Sequence, residues 1–256
     1  MIDDRVYFHE KLAQAAPIVW EKFEPFKVTF RMGAPVSVTT PWISFDGLLA
    51  HLMLLDALGE DYLVMPKKLD LSEIFPQNRR LLPLKKTQDI YHASVSLFIP
   101  HSIRVTQIYK RFEERWAGAL NRKKIYLGMG PFRAYMIQEP YIPCKEVVFY
   151  GFGDLNIIRN LIENYLCGLG NDFRIGFGAI RDISWETTDT DYSIVADGIA
   201  MRPIPISMCA EYEDAVYLPY KSPYWSPKNV VLCVPPGSKC KLKDELETGI
   251  QGLGTN

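Results

Sequence analysis

The sequence predicts a mixed α+β fold of the ferredoxin-like type, a βαββαβ unit in which two helices cover one face of an antiparallel sheet. Alternating apolar and polar residues predict the strands, and apolar residues at helical spacing predict two helices. These elements follow one another as strand, helix, strands, helix and strand. We expect one domain over residues 1–256, with a core at about 27–185, an insertion at about 60–130 and a C-terminal extension at 186–256.

The first strand and helix are predicted within residues 27–58. Lys27–Val38 alternates over its first half as a strand does, and a turn follows that ends at Ser44, a candidate N-cap. Gly59 ends the helix. The apolar residues at helical spacing are Phe45, Leu48, Leu49, Leu52, Leu55 and Leu58.

Two hairpins are predicted in the middle of the chain. The first pairs Ile90–Ile99 with Ile103–Tyr109 across a turn that contains Pro100. The second pairs Phe132–Ile137 with Lys145–Tyr150 across the proline-bearing segment 139–143.

The second helix is predicted to begin at Asp154, a favourable N-cap. Its apolar side carries Leu155, Ile158, Leu161, Ile162, Tyr165 and Leu166. A glycine-rich loop closes this helix, and Phe177–Trp185 leaves the loop as a strand.

Composition predicts an ordinary globular protein, with 48% hydrophobic and 23% charged residues. The chain has no apolar run of 18 residues and no signal-peptide pattern at its start, so we expect it in the cytoplasm. Five scattered cysteines without a C-x-x-C pair predict buried, reduced thiols. We expect neither a metal nor another cofactor.

Positive charge is concentrated in the middle of the chain. Residues 67–133 contain 14 Lys and Arg against 5 Asp and Glu, whereas the remaining residues contain 15 against 25. Such segregation predicts one surface for an anionic ligand and another for different partners. The alternative is a set of solvated loops whose cations bind nothing.

The glycine-rich loop, residues 167–180, is the most distinctive local feature. Its glycines allow close approach to the backbone or a positive φ, its N–H groups predict an anion nest, and Arg174 adds a charge. The loop leads from a helix to a strand, unlike phosphate-binding and dinucleotide-binding loops. We interpret it as a loop that lies against an RNA backbone; the alternative is a helix C-cap at Gly168 or Gly170 followed by a turn.

Several motifs in this order resemble the RAMP superfamily of CRISPR-associated proteins. The loop has the superfamily's Gly-x-Gly and Gly-aromatic-Gly elements, at 168–170 and 176–178. Val28–Val36 and the following Ile43–His51 are similar to a Cas5-like small subunit of type IV (class 1) effector complexes, Csf3-like. Motifs at 201–205 and 223–233 agree with that group, and the resemblance covers about 27–235.

The resemblance implies a single RAMP-type domain and a non-catalytic role in antiviral or anti-plasmid defence. Such a subunit caps the 5′ handle of the guide crRNA, docks against a Cas7-like backbone subunit and a large subunit, and meets target DNA only indirectly. A basic hairpin, or thumb, commonly projects toward the RNA, and residues 110–124 are our candidate for it. In ferredoxin-like RNA-binding domains the open face of the sheet is a common binding surface as well.

The predicted RNA-binding residues belong to the loop and the thumb. They are Gly168, Gly170, Asn171, Arg174, Gly176, Gly178, Arg104, Lys110, Arg111, Arg115, Arg122, Lys123 and Lys124. Tyr109 and Trp116 are candidates for base stacking. The alternative for Trp116 is packing at the base of the hairpin.

Two other functions fit the same sequence. A metal-independent endoribonuclease that processes CRISPR RNA needs a general base, for which His51 is the best candidate, with His92 or Lys110 assisting. His51 is equally compatible with an ordinary position on a helix. A scaffold that binds only proteins would show little dependence of RNA binding on salt.

Overall fold

A computed structural model describes residues 4–14, 22–65, 82–113, 115 and 126–243. Its α-helices are α1 (Asp4–Gln14), α2 (Phe45–Leu58) and α3 (Leu155–Tyr165). Its strands are β1 (Glu24–Met32), β2 (Val36–Ser37), β3 (Lys86–Thr87), β4 (Ile90–Tyr91), β5 (Leu97–Ile99), β6 (Arg104–Lys110), β7 (Tyr135–Ile142), β8 (Glu146–Gly153), β9 (Ile180–Thr187), β10 (Val195–Ala196), β11 (Ile199–Ala200), β12 (Ile204–Pro205), β13 (Cys209–Tyr212), β14 (Val216–Pro219), β15 (Val230–Val234) and β16 (Cys240–Leu242). Short 3₁₀ helices lie at Gly59–Val64, Gly130–Phe132, Phe173–Ile175, Ile206–Met208 and Pro227–Asn229.

The centre of the molecule is a four-stranded antiparallel sheet in the order β5-β8-β1-β9. Its helix-covered face carries Phe26, Val28 and Phe30 of β1, all with no exposed surface. Burying such a side chain contributes about 1.5–3 kcal/mol, so this face and the apolar sides of α2 and α3 form the main core. The structure is a mixed α/β fold with antiparallel sheets and few helices, as the sequence predicts in outline.

The predicted helix signals at Asp154 and Gly59 are confirmed, whereas Ser44 holds the N-cap position without capping through its side chain. The Asp154 carboxylate accepts hydrogen bonds from the backbone N–H groups of Asn156 and Ile157, at 3.1 and 3.2 Å. Ser44 precedes α2 without a side-chain capping bond, and Gly59 ends this helix with a φ of 55°. None of the helices described is long and apolar enough to cross a membrane.

The two core helices begin beside the C-terminal half of β8. The N–H of Phe45 donates to Ser94, beside the middle of β8, and α3 starts directly after β8 ends. Their last turns meet where the Tyr165 hydroxyl donates to Asp56, at 2.9 Å. In a regular βαββαβ unit the two helices run antiparallel to each other, so the first connection departs from the predicted pattern.

Both predicted hairpins are wrong in their pairing. β5 pairs with β8 in the central sheet, whereas β6 pairs with β7 in a separate sheet of order β2-β7-β6. Phe98 of β5 is buried at 6% exposure, but every residue of β6 is exposed or half-exposed. Alternation identifies a strand and its inner face, and it carries no information on which strand is the neighbour. The predicted turn at 139–143 lies largely inside β7.

The predicted strand Ile90–Ile99 is interrupted, and β4 and β5 are its two ends. Between them the polar positions of the pattern point inward. The hydroxyl of Ser94 accepts the N–H of Tyr150 and that of Ser96 accepts the N–H of Ile43, both at 2.9 Å. These side chains take the place of strand-to-strand hydrogen bonds, so the segment is extended and buried without forming a regular ladder.

The residues after β9 build a second, smaller core from short strands. It consists of Ile90, Ile194, Ala200, Ile204, Met208, Cys209, Val234, Cys240 and Leu242. Arg202 joins this unit to the central sheet. Its guanidinium donates to the carbonyl oxygens of Tyr91, Ala93 and Tyr220 and to the Asp46 carboxylate. The division of the chain into core, insertion and extension stays a prediction.

We expect Arg202→Met to lower the free energy of unfolding by about 3–5 kcal/mol, because it leaves the carboxylate of Asp46 buried without its cation. Urea denaturation followed by circular dichroism measures the change. Arg31→Met is the matched control, since Arg31 is 60% exposed and pairs with Glu146 and Asp182 at the surface, and we expect a change below about 1 kcal/mol. Equal losses in the two variants would contradict the anchoring role.

Candidate functional site

The β6–β7 hairpin carries the described part of the predicted thumb. Arg104 pairs with Tyr141 at its base, and Lys110 pairs with Tyr135 six residues further along. Lys110, Arg111 and Arg115 lie exposed at the far end. The predicted thumb residues Trp116, Arg122, Lys123 and Lys124 lie outside the described residues.

The two faces of this hairpin differ in chemistry. Side chains of directly paired residues lie on the same face of an antiparallel ladder. One face, the charged face, carries the pairs Arg104 with Tyr141, Thr106 with Glu139, Ile108 with Ile137 and Lys110 with Tyr135. The other, the uncharged face, carries Val105 with Pro140, Gln107 with Gln138 and Tyr109 with Met136.

Strand alternation separates the predicted stacking residue Tyr109 from the predicted cations of β6. Tyr109, predicted from its position beside Lys110, is 66% exposed but lies on the opposite face from both Arg104 and Lys110. The aromatic rings that share a face with those cations are Tyr135 and Tyr141. The Lys110 ammonium sits over the Tyr135 ring, 5.9 Å from its centroid. These two tyrosines could not be found from the sequence, because the register is not visible there.

The glycine-rich loop lies against the base of the same hairpin. Asn171 forms an isolated bridge with Ser37 of β2, and its N–H donates to the Ser37 carbonyl at 2.8 Å. Ser37 is in turn paired with Tyr141, whose ring centroid is 6.0 Å from that of Phe177 in the loop. The structure therefore brings Phe177 of the loop next to Tyr141, the residue that is paired with Arg104. Lys110 is at the other end of β6, about 20 Å away at roughly 3.4 Å per residue.

Close packing within the chain explains most of the glycines. A Cβ on Gly178, which has a φ of +65°, would lie 1.9 Å from the carbonyl oxygen of Leu169, and one on Gly170 would lie 2.3 Å from that of Ser37. A Cβ on Gly168 would meet the Gly178 carbonyl at 3.0 Å. Gly176 alone of these four faces open space. At Gly170 and Gly178 the chain's own backbone thus leaves no room for a side chain, and at Gly168 the space is tight.

The chain itself uses part of the predicted anion nest. Six backbone N–H groups in the loop already donate to carbonyl oxygens of the chain: those of Leu169, Asn171, Ile175, Gly176, Phe177 and Gly178. The part of the loop that is accessible to a ligand is its tip. There Phe173 and Ile175 are 47% and 58% exposed, and the guanidinium of Arg174 lies 5.8 Å from the Phe173 ring centroid.

The open face of the central sheet does not favour RNA. Its cations are matched by carboxylates on neighbouring strands: Lys27 lies 3.3 Å from Glu186, and Arg31 lies 3.9 Å from Glu146 and 3.7 Å from Asp182. The five charges sum to −1, so a phosphate backbone would meet no excess of positive charge here. The sequence-based expectation of a binding surface on this face is not supported.

The two histidines proposed for catalysis differ in exposure. His92 has no exposed surface, with Nδ1 2.5 Å from Asp191 and Nε2 2.7 Å from Thr87, so it cannot reach an RNA hydroxyl. His51 is at the surface of α2, with Nδ1 2.7 Å from the Tyr62 hydroxyl. The atoms packed around its ring desolvate it and lower its pKa.

The described residues contain no group of three or more His, Cys, Asp or Glu side chains placed to hold a metal ion. The five cysteines, all among the described residues, are free thiols. Cys167 is exposed, and the buried ones are Cys144, Cys209, Cys233 and Cys240. Burial raises the pKa of the Cys144 thiol to about 11. That thiol therefore stays protonated at neutral pH and is a poor nucleophile.

Alanine substitution at two loop glycines should distinguish a glycine that is needed because backbone packs against it from one that only has a positive φ. We expect Gly178→Ala to lower the free energy of unfolding by about 2 kcal/mol or more, because its Cβ collides with backbone at a positive φ. Gly176→Ala, with a φ of +103° but open space around it, should cost about 1 kcal/mol. Thermal unfolding of both variants measures the difference, and equal stabilities would contradict the packing explanation.

Comparison with known proteins gives one family match. The model of the family described as CRISPR type IV associated protein Csf3 matches residues 68–236. No curated protein matches the chain. Among solved structures, a chain in the cryo-EM structure of the Type III-B Cmr-beta bound to cognate target RNA is similar, with 14% identity and a TM-score of 0.35. The similarity covers 65% of this chain and 61% of that one, which is less than two thirds of the neighbour's length.

Proposed function

The chain belongs to the family of the CRISPR type IV associated protein Csf3, and from that premise we propose that it is a non-catalytic, crRNA-binding subunit of a type IV effector ribonucleoprotein. In this role it caps the 5′ handle of the guide RNA. It docks against a Cas7-like backbone subunit and a large subunit, and it meets target DNA only through them.

The charged face of the β6–β7 hairpin is the observation that carries this proposal. It presents Arg104 and Lys110, each directly opposite a tyrosine, on one exposed surface. Single-stranded RNA is bound by cations that follow its phosphates and by aromatic rings on which its bases stack. This face has a cation opposite a tyrosine at each of its two ends, which meets both needs, whereas the charge-balanced central sheet meets neither.

We assign the tip of the glycine-rich loop as a second RNA-contacting surface beside the hairpin. Arg174 and Phe173 lie at the tip of the loop whose Phe177 packs beside Tyr141, and we assign them to the same RNA-binding surface as the charged face. Six of the loop's N–H groups are used within the chain, so we expect side chains to supply much of the RNA contact at this surface. Arg174 is suited to phosphate oxygens and Phe173 to a base.

The uncharged face fits the docking part of the proposal. Val105, Tyr109 and Met136 are 59%, 66% and 56% exposed, and they form a continuous apolar and amide surface with Gln107 and Gln138. Exposed apolar surface without charges is typical of protein–protein interfaces and unsuited to phosphates. One hairpin could thus hold RNA on one side and a protein subunit on the other.

We further propose that the central sheet with α2 and α3 is a variant of the ferredoxin-like unit. The strand order β5-β8-β1-β9 supports this, because it is the 2-3-1-4 order of a βαββαβ sheet. The altered direction of α2 relative to α3 makes it a variant. The residues of β6 and β7 would then be the thumb insertion, and those after β9 the C-terminal extension.

Replacing both Arg104 and Lys110 by alanine should weaken binding to a handle-containing RNA. Each lost phosphate contact on a single strand reduces the slope of log K against log salt by about 0.7, so the pair should reduce it by about 1.4. Fluorescence anisotropy at several salt concentrations measures affinity and slope. On the same reasoning, alanine at Arg122, Lys123 and Lys124 together should reduce the slope by about 2.

The double variant Lys27→Ala with Arg31→Ala is the matched control, since it removes two cations from the open face of the central sheet. The slope of log K against log salt for this control should equal that of the wild type. The hairpin assignment is refuted if the two double variants behave alike. RNA binding that hardly depends on salt would favour the protein-only scaffold.

The endoribonuclease remains the second candidate, on the specific observation of the His51–Tyr62 pair. A lowered pKa leaves His51 neutral at pH 7 and able to accept a proton. We expect no cleavage when the full chain is incubated with repeat RNA and a chelator and the products are resolved by electrophoresis. Cleavage at one position that disappears in His51→Ala, but persists in His101→Ala, would establish the enzyme instead.

A further inference from the structure

We propose that the charged face contains a site that reads one unpaired nucleobase carrying an exocyclic amino group. Tyr141 and Phe177 supply the stacking surface, and the carboxylate of Glu139 accepts a hydrogen bond from the amino group. We call these three residues the base site. The inference rests on the proposed RNA binding and adds a chemical preference to it.

The aromatic part of the base site is held rigidly. Tyr141 is in the middle of a ladder, paired with Arg104 on one side and Ser37 on the other. Phe177 follows Gly176 and precedes Gly178, whose N–H donates to Pro35 at 2.7 Å. The two rings are tilted by 44°, and both are half-buried, so each is fixed by packing while part of it stays accessible. A tilted, partly exposed ring pair can receive a third ring.

Glu139 is placed beside these rings with its carboxylate oriented. It is two residues from Tyr141 on β7 and therefore on the same face. The hydroxyl of Ser37, which is fully buried, donates to Oε1 of Glu139. Among the described residues, none donates to Oε2. The carboxylate is thus held from one side and has an acceptor oxygen available on the other.

The chemistry of a carboxylate selects the ligand. An ionised carboxylate only accepts hydrogen bonds, and it is the usual partner of the cytosine N4 amino group. Adenine and guanine also carry an amino group, whereas the N3–H of uracil is flanked by two carbonyl oxygens that would repel the carboxylate. Cytosine and uracil are nearly equal in size, so comparing them isolates the amino group.

The charge of Glu139 argues for a reading role. A carboxylate on an RNA-binding face repels phosphates, and here it lies diagonally across the ladder from Arg104, which makes no ion pair with another described residue. Arg104 can neutralise the phosphate next to a stacked base while Glu139 contacts the base edge. A carboxylate that serves only to accept the Ser37 hydroxyl would give the protein no preference between bases.

The test compares the affinities of the full chain for eight-nucleotide oligo(rC) and oligo(rU). We expect the wild type to bind oligo(rC) about five- to tenfold more tightly, in the lower range for one specific base contact. In Glu139→Gln the ratio should fall to about 1, because an amide presents a donor as readily as an acceptor. Glu163→Gln, which removes an equal charge from the exposed side of α3, should keep the wild-type ratio.

Tyr141→Phe keeps the aromatic ring and should bind both RNAs with wild-type affinity. Tyr141→Leu should lower the affinity for both RNAs several-fold. Circular dichroism and thermal unfolding confirm that each variant is folded. The inference is overturned if the wild type binds both RNAs equally, or if Glu139→Gln keeps the preference. A folded wild type that binds neither RNA overturns the proposed function itself, while a salt-dependent but base-independent affinity overturns only the base site.

Discussion

The buried guanidinium of Arg202 is the interaction on which the arrangement of the whole molecule depends. Its side chain is 1% exposed, and it joins three parts of the chain that are distant in sequence. One is the first turn of α2 at Asp46, another is the irregular segment at 91–93, and the third is the C-terminal unit at Tyr220. Tyr224 completes the cluster by donating to Asp46 at 2.6 Å, and burial raises the pKa of its phenol. A buried charge tolerates few alternative geometries, so these parts are held in one arrangement.

Local features of the fold could be predicted from the sequence, and pairing could not. Asp154 as N-cap and Gly59 as helix end depend on neighbouring residues alone, and both were predictable. The pairing partners of β5 and β6 depend on which of the two strands buries its apolar side chains in the core. The two strands alternate in the same way, so the sequence does not distinguish them. The residues 92–96 were misassigned for a related reason. Their polar side chains satisfy backbone groups inside the protein, which no alternation pattern reveals.

In the candidate site, too, local features could be predicted from the sequence and spatial neighbours could not. The excess of Lys and Arg in residues 67–133 was visible in the sequence, and so was the glycine-rich loop. Which aromatic rings share a face with these cations follows from the register of β6 against β7, which pairs Arg104 with Tyr141 and Lys110 with Tyr135. The glycines were interpreted through an external ligand, whereas at two of them the Leu169 and Ser37 carbonyls leave no room for a side chain. A sequence cannot distinguish a backbone that a ligand approaches from one that another part of the same chain approaches.

The bridge between Asn171 and Ser37 also affects how the hairpin sheet can associate. β2 is an edge strand of that sheet, and unpaired backbone groups on an edge invite another chain to add a strand. The N–H of Asn171 occupies the Ser37 carbonyl, so the glycine-rich loop covers this edge. Within the described part of the chain, β6 is left as the uncovered edge of the sheet. Strand addition, and with it the aggregation that open edges promote, is thereby confined to one side of the hairpin.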